Sequence, residues 1–189
     1  MNEALNKRLL PQIDVNTYRE IFDFPIEGYY EKLGFDMKKE SFENLGKEFI
    51  KRYIDRMYEP KLYKDTISTM ESLSGFGITH SILSASEHSI LSKLTEYYKL
   101  GDLCTKVVGT DNFYARGKVD MASVLVKEMK IKANEILVVG DSTHDFEVSR
   151  AIQSNCLLIS HGHFTRNRLE VIDSEVCDSF NELKNYITG

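Results

Sequence analysis

The spacing of apolar residues changes along this chain at about residue 65. In the segment 41–58 apolar residues recur every three or four positions, which predicts one amphipathic helix with Ser41 as its N-cap. Shorter helical segments precede it, and Pro11, Pro25 and Gly34 mark the breaks between them. Residues 1–60 are therefore predicted to form a small unit made of helices alone.

After residue 65, short apolar runs alternate with helical stretches. The apolar runs are 80–85, 105–110, 135–141 and 155–160, and the helices are expected near 65–75, 87–99, 119–130 and 143–153. Strands that alternate with helices of this length predict an α/β fold, in which a parallel sheet is covered by helices on both faces. We therefore expect an α/β core over residues 61–189, with any ligand at the carboxyl ends of its strands.

Composition limits the classes of partner. Of the 189 residues, 42% are hydrophobic and 28% are charged, and the formal net charge is −5 without a long basic run. This balance is typical of a globular domain and argues against nucleic acid as the main partner, while a small anionic substrate stays compatible with it. No apolar stretch approaches the ~18 residues of a membrane span, and the first residues lack the apolar core of a signal peptide. We expect a cytoplasmic monomer or homodimer with no membrane partner.

The run 135–141 provides the strongest chemical signal. It leads directly into Asp141, and Asp145 follows four residues later. Two carboxylates at the end of a buried strand offer hard oxygen ligands for Mg²⁺ beside a phosphate. The alternative is structural, because an aspartate at the start of a helix can simply cap it.

Two further features follow the other strands. Ser84 ends the first apolar run, and the amides of Ala85 and Ser86 are expected to open the next helix, which would form a cradle for phosphate oxygens. Lys118 is expected to begin a helix, where a cation is locally unfavourable and so indicates an anionic partner. Serine is also a common N-cap, and Lys118 could equally be a solvated surface residue. Arg116, close to this lysine, could assist in binding an anion.

The order of these features resembles that of a known family. A serine at the end of one strand, a lysine after the next strand and paired aspartates after the following one resemble motifs two, three and four of the haloacid dehalogenase superfamily. The similarity is greatest to its phosphoglycolate-phosphatase-like branch, and it covers essentially the whole chain. It implies a Rossmann-like parallel core, with residues 1–60 as a helical cap.

The resemblance also implies a role for each residue. Asp141 would bind Mg²⁺, and Asp145 would support the metal site. Ser84 and the Ala85 amide would hold a phosphoryl oxygen, and Lys118 would balance charge between the nucleophile and the transferring group. The implied reaction is Mg²⁺-dependent hydrolysis of a small phosphorylated metabolite, in which catalysis is mostly positioning and charge neutralisation.

One element of the family pattern is not found in this sequence. Family members begin with an apolar strand that ends in D-x-D-x-T or D-x-N-G-T, and its first aspartate attacks phosphorus. The nearest string here has Asp14 and Asn16 but Tyr18 where threonine is required, so Asp14 is interpreted as a helix N-cap. We therefore expect no appreciable phosphatase activity from this chain, whether it reflects an N-terminal truncation, a late start codon or a natural pseudoenzyme.

In the family, the strand of that motif is the central one, between the runs 80–85 and 135–141. Neighbouring strands lie about 4.7–4.9 Å apart, so without it these two runs would be separated by about 10 Å. Unpaired buried backbone groups are costly. Three outcomes are therefore expected: the two strands collapse together, a strand of another chain fills the place, or the upstream residues exist and were left out of this sequence. We favour the first two for a stable truncated protein.

Other functions are compatible with the same residues. A catalytically inactive binding or regulatory protein would keep the anion pocket, and a phosphomutase or a dehalogenase of the same superfamily would differ in the cap. A phosphoacceptor receiver domain also places such residues at strand ends, but the helical residues 1–60 argue against it. His161 and His163 are interpreted as polar loop residues rather than as a metal pair, because no third ligand is apparent.

Overall fold

The computed structural model of the protein describes residues 1–111 and 117–189, so the prediction for Arg116 lies outside the described residues. The N-terminal part is helical, as predicted, with α1 (Asn2–Lys7), α2 (Val15–Ile21), α3 (Ile26–Lys32) and α4 (Phe42–Arg56). Within the ranges described, no helix of the chain is both long enough and apolar enough to cross a membrane.

Two of these helices begin at the residues that the sequence indicates. Ser41 Oγ accepts a hydrogen bond from the amide of Asn44 at 3.3 Å, and Asp14 Oδ1 accepts one from the amide of Thr17 at 2.7 Å. Each bond satisfies a backbone donor that the first turn of a helix leaves free. The interpretation of Asp14 as a helix N-cap is thereby confirmed.

Strands and helices alternate in the rest of the chain. The four predicted strands are confirmed, whereas a short fifth strand and the last two helices were not predicted. In chain order the elements are α5 (Thr66–Gly75), β1 (His80–Glu87), α6 (His88–Tyr97), β2 (Cys104–Thr110), α7 (Lys118–Met129), β3 (Leu137–Gly140), α8 (Thr143–Ala151), β4 (Asn155–Ile159), α9 (Arg166–Glu170), β5 (Glu175–Cys177) and α10 (Phe180–Thr188).

The strands form two parallel sheets rather than one. β1 pairs with β2, and β3, β4 and β5 form a second sheet in that order. The α/β class and the parallel pairing are confirmed, but the prediction of a single sheet is wrong, because the described strands form two sheets. Among these strands, β1 and β3 are not hydrogen-bonded to each other. Helix α7 packs on β1 and β2, α8 packs on β3 and β4, and the two helices pack on each other. This helical layer supports both sheets without bringing their edges together.

The largest buried cluster contains residues from both predicted units. Leu5, Tyr29 and Leu45 of the helical part belong to the same cluster as Leu158 and Phe164, and each of these side chains is almost fully buried. Burial of large apolar side chains contributes about 1.5–3 kcal/mol each, so this cluster anchors the helical part to β4 and the following loop. The division of the chain at residue 60 stays a prediction.

Candidate functional site

The turn after β3 is held by the carboxylate of Asp145. Its Oδ2 atom accepts hydrogen bonds from the Asp141 amide at 3.0 Å, from the Ser142 amide at 3.1 Å and from Ser142 Oγ at 2.7 Å. Ser142 is the N-cap of α8 and Asp145 lies in its first turn, so the two side chains form a capping box. The residue that caps α8 is therefore Ser142. Asp141 lies just before the helix, and its carboxylate does not cap it.

Lys118 completes this arrangement from a different helix. It is the first residue of α7, directly after Gly117, which adopts a left-handed conformation with φ of 88°. Its Nζ atom lies 2.5 Å from Asp145 Oδ1, and the two side chains are only 15% and 7% exposed. The anionic partner that the position of Lys118 indicates is thus Asp145.

The electrostatics of the pair favour an ionised carboxylate. Burial alone would raise the pKa of Asp145, but the Lys118 ammonium outweighs it, together with the hydrogen bonds from Ser142 and from the Asp141 amide. The net effect holds the pKa of Asp145 below its ordinary value. Near the carboxyl end of β3, the negative charge of the Asp145 carboxylate is therefore offset by the ammonium group of Lys118.

Gly140 allows Asp145 to reach the turn. A side chain at this position would overlap the Asp145 side chain, since a Cβ atom built there meets Cβ, Cγ and Oδ2 of that residue at distances that atoms cannot share. Only glycine permits so close an approach of backbone and carboxylate. Gly140 is therefore the last residue of β3, and the capping box requires a glycine at this position.

The loop after β4 fixes Asp141 from the other side. Asp141 Oδ2 accepts a hydrogen bond from the amide of His163 at 2.6 Å, and a side chain at Gly162 would overlap the same carboxylate. The guanidinium group of Arg19, on α2, donates to the carbonyl oxygens of Ser160 and Phe164. The helical part thus holds the loop that orients Asp141, a contact that sequence reasoning missed.

Aromatic side chains surround this loop. The hydroxyl of Tyr18 forms a hydrogen bond with His163 Nδ1, and the ring of Phe22 stacks on His163 with centroids 4.6 Å apart. Tyr63 donates its hydroxyl proton to the carbonyl of His161 at 2.9 Å and stacks on its ring. The two histidines therefore serve loop packing, consistent with their interpretation as loop residues.

The end of β1 differs from its prediction. Ser84 and Ala85 do not open a helix, because β1 continues to Glu87 and α6 begins only at His88. The carboxylate of Glu87 accepts a hydrogen bond from the amide of Ile90 at 3.1 Å, so Glu87 is the N-cap. The expectation that the amides after Ser84 open α6 is wrong, since a better capping side chain stands three residues later.

A cavity of about 1260 Å³ lies between the two sheets. Its polar end is formed by Lys118, Asp141 and Asp145, with side chains of α2 and of the loop after β4 nearby. The structure therefore brings three of the predicted site residues together. Among the described residues that line this cavity, Ser84 and Ala85 do not occur.

The two aspartates differ in what they could offer to Mg²⁺. Both oxygens of Asp145 already accept hydrogen bonds from protein donors, which fits a supporting role rather than direct ligation. In the described part of the chain, Asp141 accepts one bond, through Oδ2, and Oδ1 is left for another partner. Across residues 1–111 and 117–189, no three His, Cys, Asp or Glu side chains form a ready metal site. Among the described residues, Asp141 could therefore provide one of the oxygen ligands in the octahedral coordination shell that Mg²⁺ requires.

Comparison with known proteins gives one curated relative and several structural neighbours. A phosphoglycolate phosphatase of Aliivibrio fischeri is 26% identical over 103 residues, which span 54% of this chain and 45% of that protein. A haloacid dehalogenase-like hydrolase of Streptococcus pneumoniae superposes with a TM-score of 0.84 at 17% identity, over 98% of this chain and 87% of that one. A hydrolase of the same family from Deinococcus radiodurans, solved with bound phosphate and sodium, gives 0.72 at 18% identity, over 98% and 85%.

At these identities the structural neighbours show the fold, and the sequence comparison shows the family. The fold is the α/β architecture of haloacid dehalogenase-like proteins. The alternation of strands with helices and the order of the motifs along the chain predict this fold. The sequence profile of the haloacid dehalogenase-like hydrolases matches residues 1–159, which is most of the chain, and the chain therefore belongs to this family.

Proposed function

We propose that this chain carries the phosphate-binding and charge-balancing part of a Mg²⁺-dependent phosphomonoester hydrolase site, with a small phosphorylated metabolite as substrate. The observation that carries the proposal is the Lys118–Asp145 pair, which holds an ammonium group beside Asp141 at the polar end of the cavity. A fixed, largely buried cation stabilises the negative charge of a transferring phosphoryl group. The substrate class is suggested by the relative from Aliivibrio fischeri, a phosphoglycolate phosphatase.

Each residue has a separate task in this proposal. Lys118 would contact a phosphoryl oxygen, Asp145 would hold Lys118 and the turn in place, and Asp141 would give one oxygen ligand to Mg²⁺. The ion, when bound, would neutralise phosphoryl charge. Ser84 is proposed as a second phosphate contact with the Ala85 amide. Its Oγ atom accepts a hydrogen bond from the Ser86 amide at 3.1 Å and keeps its own proton for donation.

The same geometry supports a further part of the proposal, that the chain alone has no appreciable phosphatase activity. Attack on phosphorus needs an oxygen with an accessible lone pair. Both oxygens of Asp145 are engaged, and the task proposed for Asp141 is to ligate Mg²⁺. A non-catalytic anion-binding protein is therefore the second candidate, and the engaged state of Asp145 is the observation that favours it.

Titration calorimetry with inorganic phosphate and Mg²⁺ tests the binding site. We expect saturable binding by the wild-type chain and at least about tenfold weaker binding by Lys118→Met, because the fixed cation is lost. Lys127→Met is the matched control, since Lys127 is an exposed lysine on the same helix and should leave binding unchanged. Equal affinities for wild type and Lys118→Met would overturn the proposed site. Ser84→Ala tests the second contact by the same readout.

Hydrolysis of p-nitrophenyl phosphate in the presence of Mg²⁺ tests the activity. We expect no release of nitrophenol above the buffer rate from the wild-type chain. Steady turnover that Asp141→Asn abolishes would contradict this and would show that a group of this chain attacks phosphorus. Binding of phosphate without turnover supports both the proposed site and the absence of activity.

A further inference from the structure

Two arginines join the helical part of the chain to the loop after β4, and each binds the backbone near the other. Arg19, on α2, donates through Nη2 to the carbonyl oxygens of Ser160 and Phe164. Arg168, on α9, donates in return to the carbonyl oxygens of Arg19 and Phe22, at 2.8 and 2.7 Å, where α2 ends. We call these two side chains and their hydrogen bonds the arginine clamp.

The Arg168 half of the clamp is fixed by its surroundings. Its Cζ atom lies 3.6 Å from the centroid of the Phe164 ring, and its Nη2 atom lies 3.4 Å from Asp23 Oδ2. Phe164 is fully buried, and the Arg168 side chain is only 20% exposed. The last carbonyl groups of a helix have no partner within the helix, and the rigid guanidinium group supplies one at the end of α2. The clamp is therefore a specific contact rather than a pair of solvated arginines.

The segment that Arg19 holds is the one that contacts Asp141. Arg19 binds the residues at both ends of the loop 160–164, and Gly162 and His163 lie between them. The His163 amide donates to Asp141 Oδ2 at 2.6 Å, and a side chain at Gly162 would overlap the same carboxylate. The position of the His163 amide, and with it the orientation of Asp141, therefore depends on the clamp.

A direct contact with a bound anion is the alternative role for Arg19, because this residue also lines the cavity. Its Nη2 atom, however, is already engaged by two backbone carbonyl groups, and its Nε atom is buried away from solvent. The observed contacts of Arg19 are thus with the protein backbone. They favour a role in holding the loop over a role in holding a ligand.

We propose that Arg19 and Arg168 are positioning residues for Asp141. The clamp holds the loop 160–164 so that the His163 amide fixes Oδ2 of Asp141 and leaves Oδ1 available to Mg²⁺. The metal part of this inference rests on the proposed function, whereas the orientation of Asp141 by the loop does not. Residues that orient a metal ligand without touching the metal typically change its affinity by about 10- to 100-fold.

Hydrogen exchange at the His163 amide tests the clamp in the absence of metal. We expect this amide to exchange at least about tenfold faster in Arg19→Gln than in the wild-type chain, because the loop loses its ties at both ends. Arg150→Gln is the matched control, since Arg150 is an exposed arginine on α8 and should leave the rate unchanged. Equal exchange rates in the wild-type chain and Arg19→Gln would overturn the proposal.

Titration with MgCl₂, followed by the amide signals in nuclear magnetic resonance spectra, tests the effect on the metal. We expect Arg19→Gln to bind Mg²⁺ about tenfold more weakly and inorganic phosphate, without Mg²⁺, as well as the wild-type chain does. The sign is informative, because removal of a nearby positive charge would by itself strengthen the binding of a cation. Equal or stronger Mg²⁺ binding would overturn the proposal. A parallel loss of phosphate affinity would also overturn it, since Arg19 would then be an anion contact.

Asp141→Asn separates failure of this inference from failure of the proposed function. If Asp141→Asn binds Mg²⁺ as the wild-type chain does, or if neither binds it, Asp141 is not a metal ligand and the proposed function fails. The exchange of the His163 amide then still decides whether the clamp positions the loop.

Arg168→Gln provides a second variant, which acts on the other half of the clamp. We expect it to keep the far-ultraviolet circular dichroism spectrum of the wild-type chain, to speed exchange at His163 and to weaken Mg²⁺ binding. The double variant Arg19→Gln, Arg168→Gln should bind Mg²⁺ about as Arg19→Gln does, because both residues act through one contact. Losses that multiply in the double variant would overturn the proposal of a single clamp. If Arg19→Gln does not fold, the His163 exchange rate in Arg168→Gln decides the question, and an unchanged rate would overturn the proposal.

Discussion

Strands β3 and β4 are neighbours of similar apolar sequence, yet they differ in burial. β4 is hydrogen-bonded on both sides, and its residues Leu157 and Leu158 are fully buried. Among the strands of residues 1–111 and 117–189, β3 is paired with β4 alone, and its Val139 is 41% exposed. An apolar run thus specifies a strand, whereas the depth of burial depends on what lies beside that strand.

The carboxyl ends of β1 and β3 show a second difference. Asp145 at the end of β3 is tied to Lys118, 27 residues earlier, and Asp141 is tied to the loop after β4. Ser84, three residues before the end of β1, accepts a hydrogen bond from an amide only two residues away. The side chains at the end of β3 are positioned by contacts between residues far apart in the chain, so their arrangement depends on the whole fold. The hydrogen bond of Ser84 is local and depends only on the short sequence around it.

Removal of side chains from the two strands should have unequal effects. Leu157→Ala is expected to lower the free energy of unfolding by about 4 kcal/mol, since a fully buried leucine loses its contacts and leaves a cavity. Val139→Ala should cost about 1 kcal/mol or less, because this side chain is partly exposed. Urea denaturation measures both values. Equal costs would show that β3 is buried as deeply as β4 in solution.

Loss of the buried ion pair should have the next largest effect. Asp145→Asn is expected to cost about 3 kcal/mol in the free energy of unfolding, because Lys118 is left largely buried without its counter-charge. The double variant Asp145→Asn, Lys118→Met should cost less than the sum of the two single changes, since no unpaired charge remains. Strict additivity would mean that the pair does not interact in solution.

The pH dependence of stability follows from the same pair. The pKa of Asp145 is lowered in the folded state, so the unfolded chain takes up its proton first as the pH falls. The stability that this carboxylate contributes is present above its unfolded pKa of about 3.9 and is lost as the pH falls through the folded pKa. Lys118→Met removes the main cause of the lowered pKa and should reduce this acid-dependent loss, measured by urea midpoints at descending pH.

Much of the fold follows from the spacing of apolar residues, and the site follows from it only in part. The run 135–141 places Asp141 and Asp145 at a strand end from sequence alone. The contact of Arg19 with the loop after β4 joins residues 141 positions apart, and no local pattern reveals such a contact. At the end of β1 the prediction from sequence is wrong. The N-cap of α6 is Glu87, three residues after Ser84, so the amides that follow Ser84 do not begin the helix.

A change in close packing at the end of β3 should have a smaller effect. Gly140→Ala is expected to cost about 2 kcal/mol, since the new methyl group overlaps the Asp145 side chain and the turn must shift. Gly46→Ala is the matched control. No atom lies within 4 Å of the added methyl group there, and Gly46 is inside α4, so a gain of about 0.5–1 kcal/mol is expected. A neutral Gly140→Ala would show that the turn is not tightly packed.

Amide hydrogen exchange at Val138 and Val139 tests whether β3 is paired with β4 on one side and, as far as the described strands show, is open on the other. The two residues are adjacent and chemically alike, so their intrinsic exchange rates are similar. We expect that the amide of Val138, which faces β4, is protected, and that the amide of Val139, which faces the cavity between the two sheets, exchanges at least about a hundredfold faster. Equal protection of the two amides would contradict this expectation, because both edges of β3 would then be paired in solution.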